Sequence, residues 1–209
     1  MKKQLLLIIL FGTFFCFRAS AQDQGGGWDK RTNVYGVETR TNAFEVGAEY
    51  LLPGGGDFGN VYKNGFGGAL RYRFGVAQYK SLLVSAGYNT FKGEVALPGN
   101  NAPVNVRANF IPIKVGMKFG LSDYVYLAGE VGTTIGLGVK GIDDVNLFVR
   151  DSYQIKGALF NFAPSFGILI PSKNKNYLDL SIRYEGMSVN RDFNFFTGIR
   201  AAYGFNIAR

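Results

Sequence analysis

Histidine is absent from the 209 residues, cysteine occurs once, and charged side chains make up only 18% of the chain. Without histidine there can be no Ser-His-Asp or Cys-His nucleophile activation and no His-ligated metal site. With one cysteine there can be no internal disulfide. No apolar run reaches the ~18–20 residues that a membrane-spanning helix requires. Low charge combined with 47% hydrophobic residues argues against disorder. What the chain has instead is 29 Gly, 19 Phe and 12 Tyr, an unusual richness in the smallest and some of the largest side chains. The length suits one domain.

The start of the chain reads as an address. Lys2 and Lys3 precede an apolar stretch, Leu5 to Phe17, and Ala19-Ser20-Ala21 has the small-x-small form of a cleavage site. Residues 1–21 are therefore expected to be a secretory signal peptide, which would take Cys16 with it. The formal charge would fall from +8 to +5 as Lys2, Lys3 and Arg18 leave. Residues 22–41, with Gly25-Gly26-Gly27, are expected to form a flexible N-terminal segment, and residues 42–209 an outer-membrane barrel domain.

From residue 43 onward the dominant period is two, the period of a strand with two unlike faces. The alternation predicts eight strands at 43–52, 66–77, 82–92, 108–120, 124–137, 157–170, 177–186 and 195–207. These are 10–14 residues long, where soluble sheets average about 5–6 and transmembrane strands need about 9–11. Long connections (53–65, 93–107, 138–156) alternate with short ones (78–80, 121–123, 171–176), and the seventh (187–194) is intermediate. Long loops on one side and tight turns on the other predict an all-β, eight-stranded, antiparallel up-and-down transmembrane β-barrel, with the long loops outside the cell. Aromatics near strand ends, among them Tyr50, Tyr88, Phe119, Tyr124, Tyr184, Phe195, Tyr203 and Phe205, fit interfacial girdles. A soluble barrel with its apolar face turned inward is the alternative. Pro112 and Pro164 fall inside proposed strands, where each would remove a ladder hydrogen bond, so bulges or strand ends are expected there.

One face of these strands carries Glu45, Glu49, Arg71, Arg73, Lys114, Lys118, Glu130, Asp179, Arg183, Glu185 and Arg200. In a membrane barrel that face lines the lumen. Eight strands leave an interior just wide enough for side chains to fill. Six cations and five anions confined there are expected to pair, because an unpaired buried charge is expensive. An ion path or small-solute site is the functional alternative. Paired acids such as Glu45 and Glu49 could in principle do acid–base work, but they lie on one strand with no sign of a cleft. No catalytic residue, metal ligand or cofactor site is expected. Gly136-Leu137-Gly138-Val139-Lys140-Gly141 has the G-x-G-x-x-G form but lacks the βαβ context that a dinucleotide site needs. Asp143 and Asp144 lack the ligand spacing of a calcium loop. The basic residues are dispersed, so nucleic acid is not an expected partner. The expected partners are outer-membrane lipid, the phosphates of lipopolysaccharide against loop cations such as Lys63 and Arg107, and an envelope protein.

The run from Phe110 to Gly132 (FIPIKVGMKFGLSDYVYLAGEVG) resembles the mid-barrel hairpin of small outer-membrane β-barrel domain proteins. These are the PorT-like and OmpA-like eight-stranded barrels of Bacteroidota type, and the likeness extends loosely over residues 43–209. The resemblance implies an outer-membrane location and no enzyme activity. Eight-stranded acyl-transfer and deacylase barrels share only the strand count, since their chemistry uses histidine. The expected function is a non-enzymatic integral barrel with a filled lumen and long external loops for structural or binding roles. A narrow pore or carrier, or an accessory barrel of a secretion or envelope-assembly system, is the alternative.

Overall fold

A computed structural model describes residues 42–54, 57–95, 103–140, 155–172, 176–189 and 192–207. The expected signal peptide, the N-terminal segment, and Asp143 and Asp144 lie outside them. Eight antiparallel strands follow one another around a closed barrel. They are β1 (Asn42–Pro53), β2 (Tyr62–Ala77), β3 (Lys80–Val95), β4 (Val104–Gly120), β5 (Val125–Lys140), β6 (Lys156–Pro171), β7 (Tyr177–Val189) and β8 (Asp192–Ile207). β1 closes the ring against β8, from Asn42 opposite Ile207 to Pro53 opposite Phe196. One five-residue helix, α1 (Asp57–Val61), sits between β1 and β2.

The alternation that forms the strands also sets their faces. Phe66, Leu70, Val115 and Ile182 are each at least half exposed on the outer wall, while the alternate positions are buried or half-buried. A continuous apolar exterior of this kind needs lipid rather than water. The apolar face therefore points outward, and the soluble-barrel alternative is set aside.

The strands are longer than expected, and the excess lies at the long-loop end. β2 starts at Tyr62 rather than 66, β5 runs to Lys140, and β7 and β8 continue to Val189 and from Asp192. In β2 and β5 the simple alternation breaks at irregularities, which hid their extensions. Between Tyr62 and Asn64 the β2–β3 register shifts, which lets Tyr62 face inward and Lys63 outward. Between Ala108 and Phe110 the β4–β5 register shifts as well. Gly138, at φ 93°, takes up that irregularity on β5, a conformation that glycine adopts at little cost. The G-x-G-x-x-G match thus falls on a bulged strand end, with Gly141 outside the described residues.

The two strand prolines are neither at bulges nor at strand ends, contrary to expectation. Pro112 pairs with Thr134 of β5, and Pro164 with Gly129 of β5. On the other side of each, the ladder skips two residue pairs and resumes in the same register. It passes from Ala86–Ile113 to Asn89–Phe110 at Pro112, and from Phe162–Gly186 to Ser165–Arg183 at Pro164. Each proline therefore opens a local gap on one side, and the rigid neighbouring ladder holds the register across it.

At the short-turn end, Gln78-Tyr79 joins β2 to β3. Tyr79 adopts φ 60°, a left-handed conformation that costs a non-glycine residue about 1–2 kcal/mol. Its position is held by two contacts to the next turn. The Tyr79 hydroxyl donates to Asp123 at 2.9 Å, and its carbonyl accepts from the Gly120 amide at 2.7 Å. The hydrogen bond to Asp123 also raises the Tyr79 pKa above that of a free phenol.

Candidate functional site

The interior is layered. At the long-loop end an apolar cap includes Leu51, Phe58, Tyr62, Phe91, Phe110, Met187 and Phe196. α1 delivers Phe58 into it, with ring centroids 4.6 Å from Tyr62 and 5.0 Å from Phe91. At the short-turn end a smaller apolar floor holds Ala43, Leu83, Tyr126, Ala128, Leu169 and Tyr177. Between them lie the charges. Glu45, Glu49, Arg71, Arg73, Lys114, Lys118, Glu130, Asp179, Arg183, Glu185 and Arg200 are all buried, none more than 5% exposed.

Ten of these eleven join one network. Arg71 donates to Glu130 at 2.7 Å and to Glu45 at 3.4 Å. Glu45 also accepts from Arg200 at 3.0 Å and from the Tyr177 hydroxyl at 2.7 Å. Arg183 grips Glu49 with both terminal nitrogens, at 3.0 and 2.7 Å, the fork geometry that makes arginine–carboxylate pairs strong. Its Nε lies 2.8 Å from Glu185, which also accepts from Lys114 at 2.9 Å and from the Asn161 amide. Asp179 accepts from Lys118 at 3.2 Å and from the Tyr126 hydroxyl at 2.7 Å. Arg200 completes the circuit, with Nε 3.7 Å from Glu49 and Nη1 3.9 Å from Asp179.

The pairs reach across the lumen. Arg71 to Glu130 joins β2 to β5; Lys114 to Glu185 and Lys118 to Asp179 join β4 to β7. Removing one member would leave its partners charged and buried, which typically costs 3–5 kcal/mol. Arg73 is the exception. Among the described residues it has no carboxylate within ion-pair distance. It donates to the Asn206 side chain at 3.2 Å and lies 5.1 Å from the Tyr177 ring centre.

Ser85, which donates to Glu130 at 2.7 Å, and the hydroxyls of Tyr126 and Tyr177 complete the belt, and sequence reasoning missed all three roles. The signal was there. Tyr126 shares the inward parity of Glu130, and Tyr177 that of Asp179. Both tyrosines lie over glycines directly opposite on the neighbouring strand, Gly167 and Gly204. A Cβ at Gly204 would fall 2.2 Å from the Tyr177 ring, and one at Gly167 2.5 Å from the Tyr126 ring, so only glycine leaves room for these rings. Lys118 sits 3.6 Å from the Tyr126 ring centre, a close cation–π contact. A cavity of ≈ 30 Å³ at the short-turn mouth, lined in part by Arg73, Lys118, Tyr79 and Asp123, has room for a water or two. Among the described residues no cluster of acids or cysteine could hold a metal ion.

Such an interior defines a class: a small closed barrel that carries lipid-facing apolar residues outside and a packed polar core inside. A solved structure agrees on the fold. The Neisserial surface protein NspA overlays with a TM-score of 0.53 at 10% identity, over 79% of this chain and 97% of NspA. Ail of Yersinia pestis, solved with the heparin analogue sucrose octasulfate, gives a TM-score of 0.46 at 16% identity over 79% of this chain and 97% of Ail. The chain is an eight-stranded antiparallel barrel of the outer-membrane type. No protein-family model and no curated protein sequence matches it, so the PorT-like and OmpA-like likeness rests on the hairpin sequence alone.

Proposed function

We propose that this protein is a non-enzymatic integral outer-membrane barrel with a side-chain-filled lumen, exported by a signal peptide at residues 1–21. Its long-loop end faces out of the cell and presents binding or structural surfaces. The observation that carries the reading is the layered plug. The apolar cap around Phe58, the cross-lumen ion pairs and the floor of Tyr126 and Tyr177 follow one another along the barrel axis. A continuous water path would have to break buried ion pairs, and a filled eight-stranded interior supports a scaffold more than a conduit. Loops on such a rigid scaffold are where binding usually resides.

The test is a planar-bilayer recording joined to gel mobility with and without heating. The folded protein is expected in the outer-membrane fraction, to shift on heating, and to pass no steady current. Glu130→Ala is expected to lower the temperature of the mobility shift and to leave the current at zero. A steady wild-type current whose ion selectivity changes in Glu130→Ala would overturn the plug and support a narrow pore. Recovery as a soluble periplasmic protein with no mobility shift would overturn the membrane reading.

A further inference from the structure

The outer wall carries a charge pattern that the plug does not explain. At the long-loop end, Lys92 of β3 stands directly opposite Arg107 of β4, and Arg107 directly opposite Lys140 of β5. All three side chains point outward and are exposed. Lys156 of β6, also exposed, pairs with Leu137, three residues along β5 from Lys140, and adds a fourth cation near the row but not in it. Like charges placed directly opposite on adjacent strands repel and destabilise a sheet. Among the described residues none of these cations forms an ion pair. Glu94, the one acidic residue among the described side chains of this rim, is held by Lys63 at 2.8 Å.

The height of the row is informative. Two residues back along β3, Thr90 pairs with Phe66, and Phe66 pairs with Tyr50, the two rings lying 5.1 Å apart on the outer wall. Exposed aromatics at this level mark the edge of the lipid band. Lys92 stands one outward-facing position beyond it, roughly 6–7 Å along β3, and Arg107 stands beside Lys92 on the next strand. A cation that far beyond an aromatic girdle is within reach of lipid headgroup phosphates. The row also lies on the lateral wall rather than in the barrel mouth, so an anion embedded in the surrounding leaflet meets it side-on. We propose that Lys92, Arg107 and Lys140, flanked by Lys156, form a docking site for the phosphate groups of an anionic outer-leaflet lipid of the lipid A type. Its phosphates would offset the cross-strand repulsion and take charge-assisted hydrogen bonds from the row. The proposal rests on the membrane reading above and on the long-loop end facing outward.

The test reconstitutes the folded full chain in phosphatidylcholine vesicles and titrates in bisphosphorylated lipid A. Its readout is the midpoint temperature of the heat-induced mobility shift. The wild type should gain several degrees, and dephosphorylated lipid A should give no gain. K92Q/R107Q/K140Q should lose most of the response, with apparent lipid affinity falling about fivefold per cation removed. Its midpoint in plain phosphatidylcholine should not fall below wild type, because repulsion has been relieved. Lys80→Gln, exposed at the opposite end, should keep the full response. If the triple variant does not insert, Arg107→Gln at the centre of the row carries the same test.

An equal response to phosphorylated and dephosphorylated lipid would overturn the site. So would an undiminished response in the variant, or an equal gain from millimolar inorganic phosphate in plain vesicles. Loss in the variant of binding to a soluble sulfated oligosaccharide, with the lipid response intact, would reassign the row to a different partner and overturn lipid docking. Failure of the wild type to give any heat-shifting species in plain vesicles would overturn the membrane reading itself, an outcome distinct from all of these.

Discussion

The barrel holds two sets of charges, one inside and one outside, and they obey opposite rules. Inside, six cations and five anions are buried, and every one except Arg73 lies within ion-pair distance of a group of opposite charge. Outside, Lys92, Arg107 and Lys140 line up sign against like sign, in full view of solvent or headgroups. The contrast follows from dielectric. In a low-dielectric lumen an uncompensated charge costs several kcal/mol, and the fold supplies an opposite charge for ten of the eleven, with Arg73 held by the Asn206 side chain and the Tyr177 ring instead. At the surface, water and salt screen the repulsion, so a like-charged row can persist without an internal partner. A pairing inside is therefore about holding the fold, while a mismatch outside points beyond the chain.

The sharpest way to break the inner half of this comparison is to remove its most connected anion. Glu45→Ala leaves Arg71 and Arg200 without their shared carboxylate and the Tyr177 hydroxyl without its acceptor. A loss of about 3–5 kcal/mol is expected, read as a lower urea midpoint for the folded barrel in vesicles. If the loss stays below ~1 kcal/mol, the lumen is hydrated enough to screen its charges, and the inside–outside distinction fails.

A second substitution reaches the same network through space rather than charge. Gly204→Ala places a methyl group 2.2 Å from the Tyr177 ring. The ring must move, and its hydroxyl then leaves Glu45. Overpacking of this sort costs about 1–3 kcal/mol. The companion change Tyr177→Phe separates the two contributions, because it removes the hydrogen bond and keeps the ring. If Gly204→Ala is neutral by the same unfolding measurement, the ring is not the close neighbour that the geometry makes it.

The sequence carried the strand phases well, because a face buried in a lumen and a face meeting lipid demand residues as unlike as Glu45 and Val46. It carried the strand ends poorly. The irregularity at Lys63 and the glycine bulge at Gly138 each break the period at the long-loop end, where β2 and β5 outrun the alternation. α1 is too short to show a helical period, so Phe58 gave no hint of its place in the cap. Inward parity names the charged residues but not their partners. Lys114 meets Glu185 across the lumen, 71 residues away, because closure of the ring brings β4 and β7 to face each other across it, and nothing local encodes that distance. Tyr126 and Tyr177 were hidden for another reason. Aromatics near strand ends suit a lipid-facing girdle, so the inward parity they share with Glu130 and Asp179 was outweighed, and the glycines opposite them, Gly167 and Gly204, went unread.

The outer half of the comparison sharpens with the mildest change. Lys63 and Glu94 form a 2.8 Å ion pair, yet their side chains remain 68% and 43% exposed. An exposed pair of this kind contributes about 0.2–1 kcal/mol, and salt weakens it further. Glu94→Gln is therefore expected to shift the unfolding midpoint slightly in low salt and not measurably at several hundred millimolar salt. The same change should strengthen the response to phosphorylated lipid, because it removes the one described carboxylate that competes with headgroup phosphate on that rim. The inner charges should behave in the opposite way, with the Glu45→Ala loss nearly independent of salt, since ions that screen the rim do not enter a filled lumen. A Glu94→Gln effect as large and as salt-insensitive as that of Glu45→Ala would erase the distinction between the two sets of charges.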